Sequence, residues 1–355
     1  MKNIKQLIVS LLGYALASAA GYVGHHIGVP LAWLIGPLIV SASLSLSGMQ
    51  YYAPVILRRM GQLIIGCAAG LTVTSEVLSS LAYWIPLMVL TSFFSIFCAA
   101  TLSPFLSHFA RIDTKTSFFS LMPGGMAEMS NIGNNVGAIS EPIAIIHTFR
   151  VAIIVFIIPA LLVSGPDSYI AELNIDLGVM DIALVISASL VGATIANRVG
   201  VNNPWMIGAL IVAAALSGSN YLHGNLPFLI FHIGQILLGY NIGSRFKREV
   251  IAKSPRVALT GIAFTVLLIF IMFIYAHILA TITSLDFPTA LLVASPGGTS
   301  EMTTTAQTLN LSVAIVTAFH VIRTLLVNGF AVYYWRLFEN SRYYNFLNKK
   351  LFNIH

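Results

Sequence analysis

Along the chain, apolar stretches alternate with short polar or turn-rich breaks, and the stretches are too long for the core of a soluble domain. A helix needs about 20 mostly apolar residues to cross a bilayer. Segments of about that size, with few charges, recur at about 6–24, 30–46, 56–74, 82–107, 142–164, 180–197, 203–220, 226–244, 257–284 and 312–335. The pattern predicts ten spanning helices. Two further stretches, Phe118 to Ser140 and Phe287 to Leu311, begin apolar, are broken by Pro-Gly-Gly and turn polar, and are predicted as re-entrant segments.

Composition agrees. The 355 residues are 57% hydrophobic and 8% charged, with mean hydropathy +0.87, against roughly 25% charged in an ordinary soluble domain. That excludes a soluble enzyme with one anchor. The first apolar run follows Lys2 and Lys5 and has no clear small-x-small cleavage pattern before the next span, so a retained helix is expected rather than a signal peptide. Cys67 and Cys98 lie in apolar stretches and are expected as buried thiols, with no disulfide framework or metal site.

The net charge of +6 is better explained by orientation than by nucleic acid. Cytoplasmic loops concentrate Lys and Arg. With the amino terminus inside and ten spans, the basic residues outside the spans fall on the cytoplasmic face, from Lys2 to Lys350. Arg58 and Arg59, at the start of their span, belong to that face, only Arg150 and Arg323 remain, both inside spans, and the opposite face receives Glu76, Asp167, Glu172, Asp176 and Asp286. Six full crossings per half would turn Arg245, Lys247, Arg248, Lys253 and Arg256 outward, which the charge rule disfavours.

The most specific signal is internal. Pro123-Gly124-Gly125-Met126-Ala127-Glu128-Met129 recurs 173 positions later as Pro296-Gly297-Gly298-Thr299-Ser300-Glu301-Met302. The same offset pairs His147 with His320, Arg150 with Arg323, Gly66 with Gly239 and Gly70 with Gly243. Nearer the amino terminus it slips by one, pairing Trp33 with Trp205 and Gly36 with Gly208. Five crossings per half is an odd number, so the second half is expected upside down, a recurrent plan of secondary transporters. The expected organisation is an all-α polytopic membrane protein of two inverted repeats of five helices, each with a Pro-Gly-Gly re-entrant segment. The repeats cover 1–165 and 178–340, with an extracytoplasmic linker at 166–177 and a cytoplasmic tail at 341–355.

Proline removes a backbone donor and glycine a side chain, so each Pro-Gly-Gly ends a helix and frees main-chain groups. In hydrocarbon those groups must be satisfied by protein or by a wet cavity. The candidate substrate and ion site is therefore Pro123, Gly124, Gly125, Glu128, Asn131 and Asn134 with Pro296, Gly297, Gly298, Glu301 and Thr304, joined by His147, Arg150, His320 and Arg323. Ionisable groups inside a membrane cost at least ~2.5 kcal/mol each at the centre of an isolated helix and tend to mark substrate or ion paths. Glu128 and Glu301 could carry a coupling H+ or Na+, and Arg150 and Arg323 could face an anion. The competing expectations are Glu–Arg salt bridges that pin the segments, tight packing turns at the glycines, and core histidines bonded to carbonyls. His25-His26, placed in an outer loop, forms neither a spaced metal motif nor a catalytic pair, and Trp33 and Trp205 read as packing or interfacial residues.

The duplicated plan, with PGGMAEM, its later copy PGGTSEM and H-x-x-R on the following helix, resembles the bacterial AbrB-type membrane family, also labelled an ammonia monooxygenase. The resemblance covers nearly the whole chain. Its inherited labels would imply a gene regulator or a membrane oxidoreductase. The chain has no soluble basic module that could enter a DNA groove, and no ligand cluster of the copper or di-iron kind. The expectation is a secondary transporter of a small solute, with anions among the candidates, in the bacterial cytoplasmic (inner) membrane, with both termini cytoplasmic. It is not expected to be an enzyme and needs no cofactor beyond a coupling ion. Its partners would be lipid and a small-molecule or ion substrate, not nucleic acid, with a homodimer left open. The alternatives are a membrane-embedded oxidoreductase and a membrane regulator acting indirectly, with the basic loop 245–256 as the candidate place for a partner.

Overall fold

The computed structural model describes residues 2–162, 176–222, 224–344 and 346–347, and among these the chain is helical, with one isolated bridge between Asp176 and Asn225. The linker expected at 166–177 and the tail expected at 341–355 lie mostly outside the described residues.

The helices are α1 (Lys2–His26), α2 (Ala32–Leu46), α3 (Val55–Leu71), α4 (Ser75–Ala110), α5 (Thr114–Leu121), α6 (Met126–Asn135), α7 (Ser140–Leu162), α8 (Val179–Val199), α9 (Pro204–Gly218), α10 (Phe228–Gly243), α11 (Arg248–Lys253), α12 (Pro255–Ile282), α13 (Phe287–Ala294), α14 (Thr299–Thr308) and α15 (Val313–Glu339). Six are long and apolar enough to cross a membrane: α1, α4, α7, α8, α12 and α15. The four other expected spans, α2, α3, α9 and α10, form helices of only 15, 17, 15 and 16 residues. They pack on one another, α3 on α9 and α10, and α2 on α10. His25 and His26 complete the last turn of α1 rather than occupying a loop.

Element bounds recur along the chain. α5 and α13 both hold eight residues and start at 114 and 287; α6 and α14 both hold ten and start at 126 and 299. The turn into α2 places Gly28 at φ 78 and Leu31 at φ 52, and the turn into α9 places Gly200 at φ 81 and Asn203 at φ 52. The largest departure is that α4 continues through Pro86, whereas the equivalent stretch is cut into α11 and α12 before Pro255.

The chain divides into two compact units. Met1–Ile85, Val155–Arg248 and Thr299–Ala318 form the first; Pro86–Ile154, Glu249–Gly298 and Phe319–His355 form the second. Each draws on both halves of the sequence. In the first unit α3 packs on α9 and α2 on α10 through glycines that admit a neighbouring main chain. Gly66 lies against the carbonyl of Met206, and one turn on, a Cβ at Gly70 would stand 2.5 Å from the carbonyl of Leu210. Gly239 meets Leu34 and Gly243 meets Leu38 in the same way. A four-residue step along one helix matches a four-residue step along its neighbour, so α3 runs with α9, and α10 with α2. α1 and α2 instead run against one another, because Gly24 meets Ala32 while Gly36 meets Ala20.

In the second unit α13 packs on α12 and α5 on α6. Tyr275 stacks on Phe94 at 4.2 Å and shares a 3.0 Å hydroxyl bond with Thr91. Phe118 is fully buried against Trp335 and Phe338.

Candidate functional site, two side-chain clasps on broken helices

Each Pro-Gly-Gly separates a short helix from a polar one. The short helices are held at both ends by side chains. At the start, Asp113 caps α5 by accepting from Thr116 N at 2.8 Å, and Asp286 caps α13 by accepting from Thr289 N at 3.1 Å. Sequence reasoning missed this pair, although both carry an Asp-x-x-Thr signal at the duplication offset.

At the other end, the last carbonyls of a helix have no internal donor. His147 Nε2 donates to Phe119 O at 3.0 Å, and Arg150 donates to Leu121 O, Met122 O and Gly124 O at 3.2, 2.9 and 3.1 Å. Arg150 also donates to His147 Nδ1 at 2.9 Å. The second copy repeats all of these bonds but the one to Leu121 O. His320 Nε2 donates to Leu292 O at 2.9 Å, and Arg323 donates to Ser295 O and Gly297 O, both at 2.6 Å, and to His320 Nδ1 at 2.7 Å. The expected one-turn spacing of His and Arg thus makes a clasp on the freed main chain. A positive charge also suits the negative end of a helix.

These bonds fix the proton on each imidazole. Nε2 must carry hydrogen to reach a carbonyl, and Nδ1 must be bare to accept from a guanidinium, which is the neutral Nε2–H tautomer. The partners of each guanidinium are carbonyls and the imidazole, not a carboxylate. Arg150 and Arg323 are 2% and 3% exposed, and the Nε–H of each has no partner. Arg323 also lies within the electrostatic field of Arg150. Two buried cations, one from each half, stand close enough to repel each other.

The carboxylates lie elsewhere. Glu128 is the third residue of α6 and folds back over Gly125, its carboxylate where a Cβ would be. Glu301 is the third residue of α14, in the first unit, where Arg245 and Arg58 are its charged neighbours. Both carboxylates sit at the positive end of a helix. Pro123, Pro296 and Gly297 are buried, and Gly124, Gly125 and Gly298 are partly so. The polar helices differ. Asn131 and Asn134 are exposed on α6, whereas Thr303, Thr304 and Thr305 of α14 are fully buried, with the Thr304 hydroxyl bonded to Ser300 O at 2.7 Å. Cys67 and Cys98 are buried free thiols.

Two relatives run the length of the chain. One is "Uncharacterized protein YhjN" of Bacillus subtilis (strain 168), 28% identical with 96% of each chain covered. The other is "Putative regulator AbrB" of Escherichia coli (strain K12), 22% identical with 90% of this chain and 93% of the relative covered. The family model described as "Transition state regulatory protein AbrB" matches residues 33–339, a stretch that takes in both clasps and both breaks, and the chain therefore belongs to that family.

Proposed function

We propose that this is a secondary transporter of the bacterial cytoplasmic membrane, built of two inverted repeats with a Pro-Gly-Gly re-entrant segment in each, and that it carries a small anionic solute. The observation that carries the reading is the pair of clasps. Two buried arginines, contributed by equivalent positions of the two halves, have main-chain carbonyls and an imidazole as their hydrogen-bond partners among the described residues and retain one unpartnered N–H each, and Arg323 feels the charge of Arg150. Buried charges are normally paired, and an anion between or beside the guanidiniums would offset their repulsion.

Inversion is supported by helix direction. With five crossings per half, α3 and α9 would point the same way across the membrane, as would α2 and α10. With both halves the same way up they would be antiparallel. The glycine contacts favour the first arrangement. The charge asymmetry supports cytoplasmic termini. Glu128 and Glu301 are the proposed carriers of a coupling H+ or Na+, no cofactor is required, and the chain is not proposed to be an enzyme. The regulator label would follow indirectly from the movement of a metabolite.

The test is uptake into proteoliposomes under an imposed proton or sodium gradient, with inorganic anions and mono- and dicarboxylates as candidate solutes. Gradient-driven uptake is expected to fall at least about tenfold in Glu128→Gln and Glu301→Gln, the scale of losing one well-placed ionisable group, and to survive in Glu76→Gln. Uptake of none of these anions, or rates unchanged in both Gln variants, overturns the reading.

A further inference from the structure

In the second unit the chain does not stop where α15 does. Glu339 closes that helix, Asn340 N still reaches back to Arg336 O at 3.2 Å, and Ser341 Oγ then starts a new turn by accepting from Tyr344 N at 3.1 Å. The turn carries two aromatic rings back onto the helix it has just left. Between ring centroids, Tyr344 lies 5.5 Å from Phe338 and 6.0 Å from Trp335, and Tyr343 lies 6.3 Å from Phe338. The Tyr343 hydroxyl donates to Thr101 O of α4 at 3.0 Å, and Leu347 beyond it is buried.

The same rings meet the first broken helix. Phe118 of α5, fully buried, stands 5.2 Å from Trp335 and 5.7 Å from Phe338. Lys115, one turn earlier, lies 6.0 Å from the Trp335 ring and donates to Val136 O at 2.9 Å. Val136 caps the end of α6, so one lysine ties the start of α5 to the end of α6, across the mouth of the hairpin that Pro-Gly-Gly folds. Ring pairs of this geometry contribute beyond the area they bury, and an amine on a last carbonyl suits the negative end of a helix. The second copy cannot repeat the arrangement. At the duplication offset Lys115 and Phe118 become Pro288 and Leu291, which offer neither an amine nor an aromatic ring.

We infer that the turn following α15 is a latch on the first Pro-Gly-Gly hairpin. With Tyr343 and Tyr344 seated, Trp335 and Phe338 hold α5, and Lys115 holds α6 to it. With the two tyrosines displaced, that hairpin opens more readily, and its copy at α13 and α14 does not. The end of the chain thereby sets the freedom of one break and not the other. The latch works whatever solute the protein carries, so failure of the anion reading leaves it standing.

The test is amide hydrogen exchange of the full-length protein in nanodiscs, read by mass spectrometry on peptides from the two hairpins. In the double variant Tyr343→Ser, Tyr344→Ser, amides of 114–121 and 126–135 are expected to exchange about tenfold faster, the scale of losing two ring contacts that hold a local unit closed. Amides of 287–294 and 299–308 are expected to keep the parent rate. Tyr344→Leu, which keeps an apolar side chain but no ring, is the milder variant should the double one loosen the whole protein, and it should move the same peptides by a smaller factor. Lys115→Met leaves the tail in place and should speed 126–135 alone of the two polar helices. First-hairpin exchange unchanged in both tail variants, or both hairpins accelerated equally in both, overturns the latch.

Discussion

Arg150 donates to Nδ1 of His147 across 2.9 Å, and the two side chains together take up the last carbonyls of a helix that stops in mid-chain. The relationship recurs between Arg323 and His320 at 2.7 Å. A broken helix inside a membrane protein persists only if its freed main chain is satisfied, and here one histidine and one arginine do it, spaced by a single turn of the following helix.

The first prediction concerns what holds the breaks. Replacing Arg150 or Arg323 by Met leaves buried carbonyls and an imidazole acceptor without donors, at a cost of about 3 kcal/mol or more. Lysine keeps the charge but cannot reproduce the fork that reaches several acceptors at once. Thermal unfolding in detergent should rank the parent above the Lys variants and the Lys variants above the Met variants. A Met variant that melts with the parent would show that the clasp does not hold the break.

How far the sequence discloses this arrangement depends on the residue. The duplication offset lies in the chain itself, and it correctly pairs every member of the clasps, because the copies have kept the same side chains at the same spacing. What the arginines bind was not legible. Glu128 and Arg150 could have met or not, and only the fold shows the guanidinium turned to carbonyls. The ten-crossing pattern was legible as ten helices, but hydropathy averaged over a stretch does not locate helix ends, and α2, α3, α9 and α10 stop short. The latch is assembled from α5, α15 and the turn after it and has no local pattern to read.

Glycine contacts give a second prediction. An added methyl at Gly66 or Gly239 would run into the carbonyl of Met206 or Leu34, and main chain on a packed helix cannot yield as a flexible side chain does. Gly66→Ala and Gly239→Ala should each destabilise by about 1–3 kcal/mol. Gly329, inside α15, has nothing within 4 Å of such a methyl. There the same change should stabilise by up to about 1 kcal/mol through helix propensity alone. Opposite signs in a thermal melt are the expected outcome, and equal effects would contradict the close helix approach.

The two caps should respond unequally, which is the third prediction. Thr116 donates to Asp113 through its hydroxyl and also accepts from Ile139 N at 2.8 Å, whereas the hydroxyl of Thr289 is buried without a partner. Thr116→Val should cost about 1–3 kcal/mol, and Thr289→Val should be neutral or stabilising. Asp113→Ala and Asp286→Ala should both lose about 1 kcal/mol of cap. Matching losses in the two Thr variants would argue against the asymmetry.

Labelling can decide the fourth prediction, which concerns orientation. Glu76 opens α4 and Glu249 lies in α11, at positions that the duplication pairs, and both are exposed. If the halves are inverted, equivalent positions face opposite sides of the membrane. Glu76→Cys and Glu249→Cys would be made in a background where Cys67 and Cys98 are replaced by Ala, and probed with a maleimide that cannot cross lipid. Intact cells freed of any outer membrane should label position 76 and not position 249, and inside-out vesicles should do the reverse. Labelling of both from one side would mean that the two halves lie the same way up. The parallel pairing of α3 with α9 would then need another cause, and the transporter reading would lose the symmetry on which its two opposed breaks depend.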